Sequence, residues 1–447
     1  MKTQVKIEKI INPFKKTITV SSDKSLSIRC ILLSSIATGK SKIFNLLESE
    51  DVTNALKALK KIGVYYKKKN NYFEIYGLGI NGFKIKKNSV LNAGNSGTLA
   101  RCILGLCSGI REKIKLIGDI SLSKRDFSRV INPLKLFGVN CKSNNGKLPI
   151  KLTGSNLLRP IKYYEDKGSA QIKTCIILSA INTPGITKIK AKKSRNHTEL
   201  LLKYLKYPIK VKKTKKYDLI NILGLNQFAP FKYEVPGDIS SASFFVVLTL
   251  LSRDSDLKIK NININPFRTG IITILKRMNA KIKITNKRNY KGEYIGDIRI
   301  KSTKNFKPII CPEKLNSSAI DEFLLIFLIA AKSKGISKFK NLGELNKKES
   351  PRLDIAVKFL RMIGIKVLRK NDNIKIFGNP KLKLNKNYHV KNFLKDHRIF
   401  MMSVVAALTF GGKWKINDKD SINSSFPNFL KISKELGGKI NWKKTFL

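Results

Sequence analysis

Long apolar runs recur along the chain, and each one follows a short cluster of small or polar residues. Residues 244–251 read FFVVLTLL, which leaves no polar face at helical spacing. A helix that is hydrophobic on every side is buried on every side. We therefore predict buried helices about every 70 to 80 residues, and self-similarity at a fixed spacing indicates an internal repeat. The six clusters that open these helices are residues 23–25, 95–98, 168–171, 237–241, 316–318 and 396–398.

A second helix with one apolar face follows the buried helix in each repeat. We predict such helices over residues 52–62, 130–137, 269–278 and 353–362. These four stretches end near Gly63, Gly138, Asn279 and Gly364, which are residue types favoured just after a helix C-terminus. Alternating segments such as KIKI at residues 281–284 then predict strands. Each repeat is therefore β-α-β-α-β-β, which places the fold in the mixed α/β (α+β) class.

The six repeats predict two similar lobes, because three repeats account for about 215 residues and a single core rarely grows beyond about 250 to 300. The predicted boundary lies near residues 235–238. We assign residues 22–237 to one lobe, and residues 1–21 plus 238–447 to a discontinuous second lobe. If the buried helices run parallel within each lobe, their positive N-termini converge on a cleft between the lobes. Such a cleft suits a substrate with several negative charges.

The composition is that of a folded soluble protein. Apolar residues make up 42% of the 447 residues. No apolar run approaches the roughly 20 residues that span a bilayer, and the N-terminus has no signal-peptide stretch, so we expect a cytoplasmic location. The six cysteines lack CxxC spacing, which predicts buried, reduced thiols. Three histidines disfavour a histidine-based metal site, and we predict neither a metal nor a cofactor.

The formal net charge of +59 is the most unusual feature of the composition. It raises the alternative of a basic RNA-binding protein built on the same repeats. The lysines are scattered through every repeat, however, and the sequence contains no RGG tract, zinc finger or isolated basic tail. We therefore predict no specific nucleic-acid partner and no membrane partner.

A series of short motifs, in order along nearly the whole chain, resembles those of the 5-enolpyruvylshikimate-3-phosphate synthases. KSLSIR at residues 24–29 is similar to the family's K-S-x-S-x-R, and GNSGTLAR at residues 94–101 resembles its G-N-[SA]-G-T-x-x-R. One such motif alone would be weak evidence for this family, whereas several motifs in order with matching spacing are specific to it. The others are Lys124-Arg125, Ser169-Ala170-Gln171, Asp321-Glu322, Lys348-Glu349-Ser350 with Arg352, and Asp396-His397-Arg398.

The resemblance implies the enolpyruvyl transferase fold, an inside-out α/β barrel with two lobes of three repeats each. It implies that the enolpyruvyl group of phosphoenolpyruvate is transferred to the 5-hydroxyl of shikimate 3-phosphate with release of phosphate. In this reaction carbon 3 is protonated, carbon 2 is attacked, and the tetrahedral intermediate eliminates phosphate. The partners would be these two small molecules, glyphosate would compete with phosphoenolpyruvate, and the protein would be a monomer.

The resemblance also implies roles for the matching residues. Asp321 would take the proton from the 5-hydroxyl, and Glu349 would protonate carbon 3. Lys24 would bridge both substrates, and Lys348 would orient the substrate and stabilise charge. Gly97 would allow close approach of phosphoenolpyruvate, because a Cβ there would intrude. The residues expected to bind shikimate 3-phosphate are Lys24, Ser25, Arg29, Ser169, Ala170, Gln171, Arg195, Asp321 and Lys348. Those expected to bind phosphoenolpyruvate are Lys24, Gly97, Arg125, Gln171, Arg352 and Arg398.

Some positions depart from the family pattern, and one related activity stays open. An aspartate beside a phosphate-binding lysine should weaken anion binding unless its carboxylate points away. The alternative enzyme is the related transferase acting on UDP-N-acetylglucosamine, which uses a loop cysteine, whereas residues 121–127 contain none. The departures are Ser22, Asp23, Asp126, Pro351 and Ser424.

Overall fold

The computed structural model describes residues 2–86 and 88–445, which form two compact units. Among these residues, unit 1 comprises residues 2–21, 237–288 and 294–445, and unit 2 comprises residues 22–236 and 289–293. The chain therefore changes unit near residues 21–22 and 236–237. It also sends the five residues 289–293 from within unit 1 into unit 2, which no pattern in the sequence indicated.

The helices follow the predicted repeat of one buried and one amphipathic helix. Gly63, Gly138, Asn279 and Gly364 all have positive φ just after the amphipathic helices, as their residue types predicted. The α-helices of the described residues are α1 (Lys24–Ile36), α2 (Glu50–Lys61), α3 (Gly97–Leu106), α4 (Ile120–Ser123), α5 (Ser128–Phe137), α6 (Ala170–Ile181), α7 (His197–Tyr204), α8 (Ile239–Leu251), α9 (Gly270–Arg277), α10 (Asn316–Ala319), α11 (Phe323–Lys332), α12 (Arg352–Met362), α13 (His397–Phe410) and α14 (Phe429–Glu435).

The strands alternate between buried and exposed residues, so that each sheet has one face on the core. Residues 186–192, for example, bury Thr187, Ile189 and Ala191 and expose the lysines between them. The strands are β1 (Lys2–Ile7), β2 (Lys15–Ile18), β3 (Thr38–Phe44), β4 (Tyr65–Lys68), β5 (Tyr72–Leu78), β6 (Ser89–Asn92), β7 (Ile114–Ile117), β8 (Asn140–Asn144), β9 (Lys147–Thr153), β10 (Lys162–Glu165), β11 (Ile186–Lys192), β12 (Ile209–Lys213), β13 (Tyr217–Leu223), β14 (Lys232–Glu234), β15 (Asp256–Asn263), β16 (Ile282–Tyr290), β17 (Glu293–Lys301), β18 (Gly335–Phe339), β19 (Val367–Lys370), β20 (Asn373–Gly378), β21 (Leu384–Val390), β22 (Gly411–Asn417) and β23 (Asn441–Thr445).

The strand pairing repeats from sheet to sheet. In unit 2 the strand orders are β14-β3-β5-β4, β6-β7-β9-β8 and β10-β11-β13-β12. In each of these sheets the first pair is parallel and the two following pairs are antiparallel. In unit 1 the orders are β2-β15-β17-β16, β18-β20-β19 and β21-β22-β1-β23. This common pairing is what a β-α-β-α-β-β repeat produces, and it confirms the predicted fold class.

Each unit has its own hydrophobic core around its buried helices. In unit 2, α3 packs against α1 and α6, and in unit 1, α8, α11 and α13 pack against one another. Buried helices thus pack on buried helices, and the amphipathic helices and sheets cover them. No helix of the described residues is long and apolar enough to cross a membrane.

The fifth buried helix differs from the prediction. The polar cluster at residues 316–318 was expected to open it, but these residues form the short helix α10, which ends at Ala319. A turn over residues 320–322 separates α10 from α11. Asp321 and Glu322 therefore lie in a helix break, at the start of α11. No glycine or proline marks this break, so the pattern of residue types could not reveal it.

Candidate active site

Several of the predicted site residues of unit 2 lie at the first turns of the buried helices α1, α3 and α6. Lys24 and Ser25 open α1. Asp23 caps this helix, because its Oδ1 accepts the Leu26 N–H at 2.9 Å. That carboxylate oxygen thus satisfies one of the orphan N–H groups of the helix start. The Lys24 ammonium lies 2.8 Å from Asp51 Oδ2. The aspartate that departs from the family pattern therefore has a structural role as a helix cap.

One turn further along α1, the Arg29 side chain is buried, and oxygen atoms hold each of its three nitrogens. Nε donates to Thr198 Oγ1 at 2.9 Å, Nη2 to Thr174 Oγ1 at 3.0 Å and Nη1 to the Ser25 carbonyl at 2.9 Å. The two threonine hydroxyls lie 2.7 Å apart. Neither threonine was predicted as a site residue, because Thr174 is a single hydroxyl within the apolar helix α6 and Thr198 is a single hydroxyl at the start of the short helix α7.

The start of α3 brings Gly97, Arg125 and Gln171 together. Gly97 is the first residue of this helix, and a Cβ there would lie 2.8 Å from Arg101 Nη1 and 2.9 Å from Arg125 Nη1. Arg101 Nη1 donates to Gln171 Oε1 at 2.9 Å. Arg125 Nη2 donates to Asn95 Oδ1 at 2.9 Å. Two guanidinium groups therefore flank the Gly97 backbone, an arrangement that suits a small anion with oxygen acceptors.

Arg101 is a site residue to which the sequence analysis gave no role. Its guanidinium lies over the Phe127 ring, 4.8 Å from the ring centroid. Burial, followed by the nearby charges of Arg125 and Arg129, lowers the pKa of Arg101 to about 10. The group is therefore still cationic at neutral pH. Its contact with Gln171 gives a physical reason for the arginine that ends the glycine-rich motif.

Ser169, Ala170 and Arg195 complete the predicted set of unit 2. Ser169 caps α6, because its Oγ accepts the Ile172 N–H at 3.4 Å, and Ala170 is the first residue of that helix. Arg195 lies in the loop before α7 and is partly buried. This loop leads directly to Thr198, the residue that accepts a hydrogen bond from Arg29.

In unit 1 the five predicted residues form one network around Asp321. Its Oδ1 lies 3.3 Å from Lys348 Nζ and 3.6 Å from Arg352 Nη1. Arg398 Nη1 donates to the Asp321 carbonyl at 3.1 Å. Glu349 Oε2 lies 2.5 Å from Arg352 Nη2. The break between α10 and α11 is what brings Asp321 into contact with residues of α12 and α13.

Arg352 is 1% exposed and is held chiefly by a carboxylate that the sequence analysis left without a role. Its Nε donates to Asp396 Oδ2 at 2.8 Å, and its Nη2 donates to Oδ1 at 3.2 Å. Burial lowers the pKa of Arg352, but Asp396, Glu349 and Asp321 outweigh burial and raise it overall. Burial likewise raises the pKa of Asp396, but Arg352 outweighs that effect and holds the pKa below its usual range. Arg352 Nη1 makes no hydrogen bond with the described residues, although it lies 3.6 Å from Asp321 Oδ1.

Three of the other departures from the family pattern fit the local structure. Asp126 is exposed, and its Oδ1 accepts the Ser128 N–H at 2.8 Å at the start of α5. Pro351 directly precedes α12, a position where the missing N–H of proline costs no helical hydrogen bond. Ser424 Oγ lies 3.3 Å from His397 Nδ1. These three residues therefore leave the helix starts that carry the site intact.

A solved structure of low sequence identity shares the fold of the chain. The enolpyruvyl transferase NikO from Streptomyces tendae matches the structure with a TM-score of 0.73 over 100% of each chain, at 12% sequence identity. Identity this low shows the fold alone. The chain therefore has the fold of an enolpyruvyl transferase.

Sequence comparison narrows this class to one family. The family model for EPSP synthase (3-phosphoshikimate 1-carboxyvinyltransferase) matches residues 8–432. A 3-phosphoshikimate 1-carboxyvinyltransferase from Ruthia magnifica subsp. Calyptogena magnifica is 40% identical over 97% of this chain and 98% of its own length. A 3-phosphoshikimate 1-carboxyvinyltransferase from Petrotoga mobilis is 37% identical over 94% of this chain and 96% of its own length. The structure of EPSP synthase from Acinetobacter baumannii matches with a TM-score of 0.86 at 33% identity, covering 99% of this chain and 100% of its own. The chain belongs to the EPSP synthase family.

Proposed function

We propose that this chain transfers the enolpyruvyl group of phosphoenolpyruvate to the 5-hydroxyl of shikimate 3-phosphate. The products are 5-enolpyruvylshikimate 3-phosphate and phosphate, in the shikimate pathway to chorismate and aromatic amino acids. The observation that carries this proposal is a nearly full-length family match together with a connected set of the family's residues in each unit. Both substrates carry a phosphate and a carboxylate, which suits the cationic side chains at these helix starts.

The residues of unit 1 supply the proton transfers in this proposal. Asp321 accepts the proton of the 5-hydroxyl while the hydroxyl oxygen of shikimate 3-phosphate bonds to carbon 2 of phosphoenolpyruvate. Glu349 donates a proton to carbon 3. The tetrahedral intermediate then loses a proton from carbon 3 as the bond between carbon 2 and the phosphate oxygen breaks. Lys348 orients Asp321 from 3.3 Å, and Arg352 and Arg398 bind the charged groups of phosphoenolpyruvate.

The residues of unit 2 bind and orient the substrates. Gly97 leaves the backbone open between two guanidinium groups, where the phosphoenolpyruvate anion contacts Arg125 and Gln171. Lys24 stabilises charge on both substrates. The residues proposed to hold shikimate 3-phosphate in this unit are Lys24, Ser25, Arg29, Ser169, Ala170, Gln171 and Arg195, and those from unit 1 are Asp321 and Lys348.

We further propose that both units act on one pair of substrates, in an active site to which residues 22–237 and the discontinuous lobe of residues 1–21 plus 238–447 both contribute. One reaction needs residues of both units, because the proposed base and acid belong to unit 1, whereas Lys24 and Arg125 belong to unit 2. A substrate favours a closed form only if it binds that form more tightly. Small-angle scattering should therefore show a smaller radius of gyration with shikimate 3-phosphate. An unchanged radius at saturation would contradict this part of the proposal.

The acceptor of the enolpyruvyl group distinguishes the proposed activity from that of the related UDP-N-acetylglucosamine transferase. Residues 121–127 contain no cysteine, the residue on which the related UDP-N-acetylglucosamine transferase depends. Incubation with phosphoenolpyruvate and either acceptor, followed by mass spectrometry, should give an enolpyruvyl ether of shikimate 3-phosphate only. A product from UDP-N-acetylglucosamine alone would refute the proposed function. Binding to RNA should be weak and fall steeply with added salt, as for non-specific contact with phosphates.

We also propose that the enzyme is a cytoplasmic monomer. All six cysteines are buried free thiols, which fits a reducing compartment. Light scattering of the purified protein should give the mass of one 50.5 kDa chain. A dimer at micromolar concentration would contradict the proposed monomer without affecting the proposed reaction.

A further inference from the structure

The environment of Arg29 limits how this side chain can meet a ligand. A guanidinium group carries five N–H donors, one on Nε and two on each terminal nitrogen. Three of these donors are used within unit 2, on Thr198, Thr174 and the Ser25 carbonyl. Among the described residues, one N–H on Nη1 and one on Nη2 have no acceptor, which is the number that the two oxygens of an anionic group can accept. The direction of these two donors is fixed by the three internal bonds.

Two of the three internal bonds depend on a pair of threonine hydroxyls. Thr174 lies on α6 and Thr198 on α7, and both side chains are almost fully buried. Their hydroxyls lie 2.7 Å apart, so one donates to the other while both accept from Arg29. The three side chains thus form a closed triangle of hydrogen bonds. In such a triangle, the orientation of the guanidinium depends on how α6 and α7 are placed against each other.

A buried ion pair joins α6 to α7 beside the threonines, and a second buried contact joins α7 to the segment 289–293. Lys173, next to Thr174, lies 2.7 Å from Glu199, next to Thr198, and their side chains are 0% and 4% exposed. On the other side of Thr198, His197 Nδ1 lies 2.6 Å from Glu293 Oε1, with neither side chain exposed. Glu293 belongs to the inserted segment 289–293. Separating the Lys173–Glu199 pair would leave an uncompensated buried charge, and breaking the His197–Glu293 contact would leave buried polar groups without a partner, so both contacts resist a shift of α7.

We propose that Thr174 and Thr198 are positioning residues that orient Arg29 and thereby set the affinity for shikimate 3-phosphate. They act through Arg29 and need not touch the substrate. This inference rests on the proposed function, in which Arg29 binds that substrate. Without the Thr198 hydroxyl, Nε loses its acceptor, and the guanidinium is free to turn away from the orientation in which both remaining donors face the anion.

Isosteric substitution tests the proposal in the full-length protein. Thr198→Val removes the hydroxyl and keeps the shape, whereas Thr198→Ser keeps the hydroxyl. By titration calorimetry, the Kd for shikimate 3-phosphate should rise about tenfold or more in Thr198→Val, the size expected for one hydrogen bond to a charged group. It should stay within about twofold in Thr198→Ser. In kinetic assays, KM for shikimate 3-phosphate should rise while kcat and KM for phosphoenolpyruvate change less than about threefold.

The matched control is Thr187→Val, another buried threonine of unit 2, whose Oγ1 makes no hydrogen bond with the described residues. It should leave the Kd unchanged. In an Arg29→Ala background, Thr198→Val should have no further effect on the Kd, because the side chain that it positions is gone. An unchanged Kd in Thr198→Val, or an equal further loss in the double variant, would overturn the inference. If Arg29→Ala itself left the Kd unchanged, the role of Arg29 in the proposed function would be wrong instead.

Discussion

Gly97→Ala is the substitution whose effect the structure specifies most closely. A Cβ at this position would lie 2.8 Å from Arg101 Nη1 and 2.9 Å from Arg125 Nη1, whereas ordinary contacts begin at 3.4 Å. Each guanidinium nitrogen must therefore retreat by about 0.5 Å. A misplacement of 1 Å can cost about 10²-fold in rate, so half of that predicts a loss of about tenfold, or about 1.4 kcal/mol. Because Arg125 is proposed to bind phosphoenolpyruvate, this loss should appear as a higher KM for phosphoenolpyruvate.

The assay is steady-state phosphate release at saturating shikimate 3-phosphate. KM for phosphoenolpyruvate should rise about tenfold in Gly97→Ala, and inhibition by glyphosate, a phosphonate that competes for the same groups, should weaken more than that. Gly364→Ala is the control, because a Cβ there meets no atom within 4 Å and strains only a backbone with φ of +81°. It should lower the melting temperature and leave KM unchanged. Equal KM values in both variants and the unmodified enzyme would refute this reasoning.

Three further predictions concern the charged clusters and the thiols. Lys24→Ala and Asp321→Ala should each lower turnover at least about 10²-fold with little change in melting temperature, and near-normal turnover in either would remove that residue from the mechanism. Asp396→Asn should destabilise the protein by about 3 to 5 kcal/mol in urea unfolding, because it deprives the buried Arg352 of its main partner. Since the folded-state pKa of Asp396 is lowered, its stabilisation is complete above the unfolded pKa of about 4 and is lost as the pH falls through the folded value. Asp396→Asn should therefore reduce the loss of stability that occurs as the pH falls below about 4, and an unchanged pH profile would contradict this. Burial raises the pKa of the Cys107 and Cys141 thiols to about 12, so the six thiols should react with a disulfide reagent at pH 8 only after denaturation.

The periodic features of the fold were predictable because they repeat. Apolar runs without a polar face identified the buried helices, and glycine or asparagine after the amphipathic helices identified where those helices end. The break at residues 320–322 was not predictable, because residues such as Asp321 are compatible with a helix start and no glycine or proline interrupts the pattern. Tertiary contacts of this helix decide where it begins.

The site was predictable where its residues form motifs and not where single residues act through others. Lys24 and Arg352 belong to motifs that lie at helix starts, and Arg125 belongs to a motif in the loop between α4 and α5. Thr198 holds Arg29 across 169 residues of sequence, and a contact at that separation leaves no local signal. The place of the segment 289–293 in unit 2 was likewise not predictable, because the contact between His197 and Glu293 joins residues far apart in the sequence.

The most direct test of the proposed reaction is phosphate release measured with both substrates present and with each one omitted in turn. Phosphate, with equimolar 5-enolpyruvylshikimate 3-phosphate, should be released only when phosphoenolpyruvate and shikimate 3-phosphate are both present. Release from phosphoenolpyruvate alone at the same rate, or no release with both substrates, would contradict it.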